Sequence, residues 1–234
     1  MTRPGLTAYD VAEHYDDAYF ADLAARYRTR NRFARQRIAN VFRLLPGSLQ
    51  GLRLLDLGCG MGTFAIEAAR RGALATGIDP AAAAVRAATR VAAAEQSPAS
   101  FIRADAVALP VGSGCCDVVL AADVTEHLDD ETLSRLLREA LRTLRSGGRL
   151  VLYTPEQSHI FERLREHGML HPDESHIGVR SAGELAAAAS RASFRVQRIE
   201  YLPSHLPVWN LLERGLARWI PLLRRRIGLV AVKP

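Results

Sequence analysis

Residues 54–64 read LLDLGCGMGTF: an apolar run holding Asp56, then glycines at 58, 60 and 62, then Thr63 and Phe64 opening a helical pattern. Glycine lets a backbone turn sharply and approach a ligand closely, so a strand running into this loop marks a binding turn. A turn that cradles pyrophosphate usually carries G-x-G-x-x-G. Here the third glycine falls one residue early and Thr63 stands in its place. The spacing favours a ligand without pyrophosphate and counts against a nicotinamide oxidoreductase.

Outward from this loop, short β-type runs alternate with helical ones, the pattern of crossover units around a parallel sheet. Strands are expected at 52–57, 73–79, 101–105, 116–123, 149–155, 194–202 and 227–234, the last returning antiparallel. Helices are expected over 63–72, from Pro80 through Glu95, and after Asp129 and Asp130 until Gly147 and Gly148. A further helix opens on the capping-box pair Ser181 and Glu184. Residues 9–45 read as one or two helices with Tyr15, Tyr19, Leu23, Tyr27 and Ile38 inward, so 1–48 form a helical cover on a single α/β domain spanning 1–234.

The D-x-G-x-G-x-G signature of Asp56, Gly58, Gly60 and Gly62 resembles the cofactor loop of the class I S-adenosylmethionine-dependent methyltransferases. The resemblance runs from about Leu52 to the end and is strongest through Pro155. It implies a Rossmann-like seven-stranded sheet of order 3-2-1-4-5-7-6 with helices on both faces and the last strand antiparallel. It also implies that Asp79 bonds the cofactor ribose, and that Asp105 and the Ala106 N–H hold the adenine. Asp123 completes the expected S-adenosylmethionine set, with Tyr15 and Tyr19 closing it from the N-terminal side.

The stretch AADVTEHLDD (121–130) lies at the end of the fourth strand, where open α/β sheets place ligands. With His176 from HPDESHIGV, it resembles the E-x-x-E-H plus distant-His metal set of small-RNA 2′-O-methyltransferases and the acidic motif of ubiquinone-pathway O-methyltransferases. Asp123 replaces the first Glu of that set. The resemblance implies a divalent cation on Asp123, Glu126, His127 and His176, and this mixed O/N set suits Mg²⁺, Mn²⁺, Fe²⁺, Co²⁺ or Zn²⁺ alike. The side chains meet only if the fourth strand breaks into a turn at this point. Without metal, His127 or His176 is the candidate general base. The activity expected is O-methylation of a small or lipid-linked hydroxylated acceptor, such as a vicinal diol or catechol.

Thirty-one basic residues, all arginine but Lys233, face 25 acidic ones for a net +6. That charge raises an RNA 3′ end as an alternative acceptor, but no RNA-binding module accompanies it and a nucleic-acid partner is disfavoured. Residues 156–180 are expected to form an acceptor-side lid, with His159, His167 and His171 facing solvent. Residues 205–226 read as one inserted amphipathic helix with Trp209, Leu212, Leu216, Trp219, Ile220 and Leu223 near one face, followed by Arg224, Arg225 and Arg226. Such a helix packs on its own domain, joins a homodimer, or makes peripheral contact with anionic lipid. Cys59, Cys115 and Cys116 are read as structural. Their odd number, without C-x-x-C spacing, suits a reducing cytoplasmic setting, and no leader or spanning segment is legible.

Overall fold

The computed structural model describes residues 16–171 and 175–234; Tyr15 lies outside them. Two helices, α1 (Asp17–Arg28) and α2 (Arg32–Leu44), precede β1 (Arg53–Leu57). Then come α3 (Thr63–Ala69), β2 (Leu74–Asp79), α4 (Ala82–Ala94), β3 (Ser100–Arg103) and β4 (Cys116–Ala122). The chain continues through α5 (Asp130–Thr143), β5 (Leu144–Pro155), α6 (Ile160–Glu166) and α7 (Ala182–Arg191). It closes with β6 (Arg195–Leu202), α8 (Pro207–Leu216) and β7 (Arg226–Val232). The strands form one sheet of order β3-β2-β1-β4-β5-β7-β6, and β7 runs antiparallel to both its neighbours.

The central strands are buried on both faces, which is why their sequences are continuous apolar runs rather than alternating ones. One face packs Val41, Leu44, Phe64 and Ile66 with Val118 and Leu120; the other packs Leu133, Leu136, Leu137 and Leu185 with Val119 and Leu152. Asp16, Asn31, Asp129 and Ser181 cap their helices with side-chain oxygens, and Ser181 and Glu184 close the reciprocal capping box. Of the residues expected inward on the cover, Tyr27 and Ile38 are buried and Leu23 packs against the core. Tyr19 is 43% exposed instead, because it stands at the pocket that this helix borders while Phe20 and Tyr27 of the same helix turn into the core.

Several boundaries differ from those expected. Helix α5 ends at Thr143, short of Gly147, and β5 begins at once: Leu144 pairs with Cys116, and the register then shifts before Arg149 pairs with Val118. Gly147 and Gly148 belong to this irregular strand, which exchanges backbone hydrogen bonds with Lys233. Helix α4 starts after an Ala81 N-cap, leaving Pro80 just outside it. The insert does not form a single helix through 226. It stops at Leu216, passes a 3₁₀ turn at Pro221–Leu223, and delivers Arg226 into β7. Pro221 lacks the N–H that a continuing helix would need. His159 is fully buried against Phe161 rather than solvent-facing, whereas His167 and His171 are exposed.

Gly62 turns out to be a packing position. At φ +85° it sits before α3, and a Cβ there would fall 2.7 Å from the Phe101 ring and 3.1 Å from Ala88. Left-handed strain and overpacking each destabilise by ~1–3 kcal/mol. Gly62→Ala is therefore expected to lower unfolding free energy by roughly 2–4 kcal/mol in urea titration; unchanged stability would contradict the placement of Phe101.

Candidate active site

The loop after β1 is fixed from beneath by two carboxylates. Asp56, 1% exposed, accepts the Ala65 N–H through Oδ2 at 3.2 Å and so ties β1 to the start of α3. Asp79, at the end of β2, accepts the Gly60 N–H through Oδ2 and the Ala81 N–H through Oδ1, both at 2.9 Å. Each carboxylate oxygen has a further lone pair, so Asp79 keeps acceptor capacity toward the cavity it lines. Gly58 must lack a side chain, since a Cβ would lie 2.5 Å from Val124 Cγ2.

Above the loop opens a cavity of about 330 Å³. Gly58, Gly60, Asp79, Asp105 and Ala106 line it on the sheet side, and Tyr19, Phe20, Phe33 and Arg37 of the cover line it from above. Asp105 accepts the Val107 N–H at 3.1 Å, which braces the loop that presents Ala106. Asp56 and Gly62 act from below the cavity and do not line it. Two carboxylates lining the cavity at the ends of successive strands, where the resemblance expects ribose and adenine contacts, fit S-adenosylmethionine.

The same cavity reaches the end of β4. There Asp123 adopts φ +56°, a left-handed conformation that Asp tolerates better than most residues, and the chain turns into a 3₁₀ segment at Thr125–His127. The turn brings Glu126, His127 and His176 together, with one potential ligand atom from each lying within 4.8 Å of the others. His127 Nδ1 lies 2.9 Å from the Ser175 carbonyl. A carbonyl only accepts, so Nδ1 carries a proton, and in the neutral ring Nε2 then holds the lone pair open to a metal or a proton. The two imidazoles meet edge to face at 5.1 Å.

Asp123 is not part of that cluster. Its Oδ2 accepts from Arg37 Nε at 2.6 Å and its Oδ1 from Arg226 Nη1 at 2.7 Å, so both oxygens are committed to cations. Burial works to raise its pKa, but the two guanidiniums outweigh burial and hold it below the usual carboxylate range. Of the four residues expected around a cation, the structure brings Glu126, His127 and His176 together and leaves Asp123 outside that group, on the cavity wall with Arg37 and Arg226. Glu126, 1% exposed, accepts the Thr154 hydroxyl at 2.9 Å; burial, then the charge of Asp123, pushes it up to about 7.

Arg37 and Arg226 were not among the expected site residues, although both line the cavity. Their contacts to Asp123 span 86 and 103 residues of sequence, and Arg226 lay in an arginine run that reads equally well as solvated surface. Arg180 was missed too. Its guanidinium donates to the Thr125, Leu128 and Gly178 carbonyls, and the Gly178 N–H donates to the Glu126 carbonyl at 2.8 Å. These bonds pin the segment carrying His176 onto the turn after β4.

A family model described as a methyltransferase domain matches residues 25–199. The chain belongs to the class I methyltransferases. A ubiquinone biosynthesis O-methyltransferase of Methylobacterium sp. (strain 4-46) is 33% identical over 132 residues, covering 56% of this chain and 47% of that protein. A protein of the same name from Brucella ovis is 27% identical and covers 84% of this chain and 87% of its own length. This chain spans about half or less of the length of the first few curated relatives it matches. Among solved structures, magnesium protoporphyrin IX methyltransferase from Synechocystis PCC 6803 with bound SAH superposes with a TM-score of 0.70 at 19% identity, covering 97% of this chain and 99% of that one.

Burial is the main reason Asp56 is raised to about 7 from an ordinary 3.8. Between those values the folded state holds a proton that the unfolded state releases, so the Asp56 contribution to stability falls as pH rises from about 4 to about 7. Asp56→Asn, which cannot ionise, is expected to gain roughly 2–4 kcal/mol relative to wild type between pH 4 and pH 8 in denaturant titrations. Parallel curves for the two proteins would refute the assignment.

Proposed function

We propose that this enzyme transfers a methyl group to a hydroxyl of a small or lipid-linked acceptor, with a vicinal diol or catechol as the best-fitting class. The observation that carries the reading is the Glu126, His127 and His176 cluster on the same cavity as Asp79 and Asp105. The relatives named as O-methyltransferases support it. When bound, S-adenosylmethionine supplies a methyl group on a sulfonium, a good leaving group for in-line displacement.

The chain's own part is positional and acid–base. Asp79, Asp105 and the Ala106 N–H hold the donor, and the cover helices exclude water, so that alignment supplies much of the acceleration. Where no cation is bound, His127, its tautomer set by Ser175, accepts the acceptor's hydroxyl proton at Nε2 as the oxygen bonds to the methyl carbon and the carbon–sulfur pair returns to sulfur. Glu126, His127 and His176 would hold a divalent cation, whose contribution is to acidify a bound hydroxyl. Residues 156–171 and 175–180 then serve as the acceptor-side lid, the rest of the expected 156–180 stretch lying outside the described residues.

The decisive experiment follows labelled methyl transfer to catechols before and after exhaustive chelation, with S-adenosylhomocysteine affinity measured alongside. Chelation is expected to abolish turnover while affinity for the cofactor product changes by less than about two-fold, and His176→Ala should do the same at low metal. Full turnover after chelation would leave His127 as an unassisted base, and no transfer to any hydroxyl would end the O-methyl reading.

The lipid-linked option rests on the insert. Val208, Leu211 and Trp219 are 72%, 74% and 69% exposed, and Leu212, Leu216, Ile220 and Leu222 are also exposed, beside Arg214 and Arg218. Apolar side chains next to arginines suit the surface of an anionic bilayer, and among the described residues no helix is long and apolar enough to cross one. The protein should co-sediment with phosphatidylglycerol vesicles and release when Leu211 and Trp219 are both changed to Asp. Equal recovery in the supernatant with and without vesicles would restrict the acceptor to soluble molecules.

A further inference from the structure

Beside the cofactor cavity, and sharing Phe33, Arg37 and Arg226 with it, lies a second chamber of about 30 Å³. Its remaining wall includes Arg225, Gln36, Asn40 and His205, and among the described residues no carboxylate lines it. At ~10–15 Å³ for one water, the space admits two waters or one small oxyanion. We infer that this chamber is an anion subsite, where Arg225 with Arg37 and Arg226 grips a carboxylate or phosphate borne by the methyl acceptor. The inference rests on the reading that the adjoining cavity takes that acceptor.

The charges in the wall are unequally compensated. Arg37 and Arg226 each spend one nitrogen on Asp123, and a guanidinium has five N–H donors in all. Arg225 has no such partner. Among the described residues no carboxylate lies within ion-pair distance of it; its guanidinium sits half-buried over the Phe161 ring, with His159 Nδ1 at 3.3 Å. The acids facing it are engaged elsewhere: Glu162 by Arg165 at 2.7 Å, and Glu213 by the Ser204 N–H. Burial and then Arg226 hold Arg225 below its ordinary value, while burial and then Arg225 do the same to His205. Burial is the larger cause of both shifts, and the arginines' part in each is a mutual repulsion that an anion would relieve. A planar guanidinium fork matches a carboxylate or phosphate edge with two parallel hydrogen bonds, which gives the chamber geometric as well as electrostatic preference.

The test titrates protein saturated with S-adenosylhomocysteine with benzoate, phenyl phosphate and neutral benzyl alcohol by calorimetry, then repeats it with Arg225→Gln and Arg225→Lys. Thermal melts and S-adenosylhomocysteine binding report the fold of each variant. One or both anions should bind at least about ten-fold tighter than the alcohol, Arg225→Gln should remove the preference, and Arg225→Lys should restore part of it. Which anion binds decides between carboxylate and phosphate. In turnover, 3,4-dihydroxybenzoate should exceed catechol in kcat/KM by about ten-fold, mainly through KM, and Arg225→Gln should erase that ratio. Anions no better than the alcohol, or a preference untouched by Arg225→Gln, overturn the inference. Anion binding through Arg225 without methylation of either catechol would leave the subsite standing and remove the hydroxyl-acceptor reading; methylation without anion preference would do the reverse.

Discussion

The Asp123 carboxylate, held between the guanidiniums of Arg37 and Arg226, is the interaction on which the rest of the site depends. It joins three distant parts of the chain: the cover helix α2, the end of β4 and the start of β7. Buried ion pairs bring little net stability, because desolvation opposes the attraction, yet losing one partner leaves a stranded charge that destabilises strongly. The bridge therefore acts chiefly to specify where the cover sits. With α2 fixed by Arg37, Phe33 and the neighbouring α1 roof the cavity at a set height above the glycine loop.

The same bridge explains the division of labour among the acids. Asp123 faces two cations and stays ionised, whereas Glu126, three residues on, meets a serious burial penalty and the negative field of Asp123. Two carboxylates close in sequence thus receive opposite electrostatic settings, a pattern by which folds separate structural from chemical roles. Arg180 completes the arrangement from the other side. By filling the carbonyls of the 3₁₀ turn, it holds the His176 segment against Glu126 and His127, and the imidazole pair comes to rest on the cavity wall.

Fold class was legible because its signals are local. Apolar runs of strand length, glycines at the first turn and side-chain caps such as Asp129 and Ser181 each act within a few residues, and the structure repeats them nearly in place. The same holds for Asp79, whose distance from the glycines follows from strand and helix lengths, whereas Asp105 was legible through the family resemblance. Boundaries failed where a neighbouring strand overrode local preference: residues 144–148 look like a helix end followed by a turn, but backbone pairing with Cys116 and Lys233 draws them into β5. His159 failed for a related reason, since a polar residue in a long connection reads as exposed until α6 and the insert close over it.

The sequence by itself determined the α/β crossover pattern and the glycine turn after the first strand, because backbone dihedral preference and hydrophobic periodicity are properties of short segments; the candidate acids followed from the resemblance of that turn and its surroundings to a known family. Only the tertiary structure decided how the protein's own cations are shared among those acids: Asp123 takes Arg37 and Arg226 at 2.6 and 2.7 Å, while Arg226 stands 3.9 Å from Glu126. Asp123 and Glu126 are equally plausible ligands as letters; what separates them is the placement of Arg37 and Arg226, 86 and 103 residues from Asp123. Charge–charge energies depend on distance and burial in three dimensions, and neither is encoded in sequence spacing.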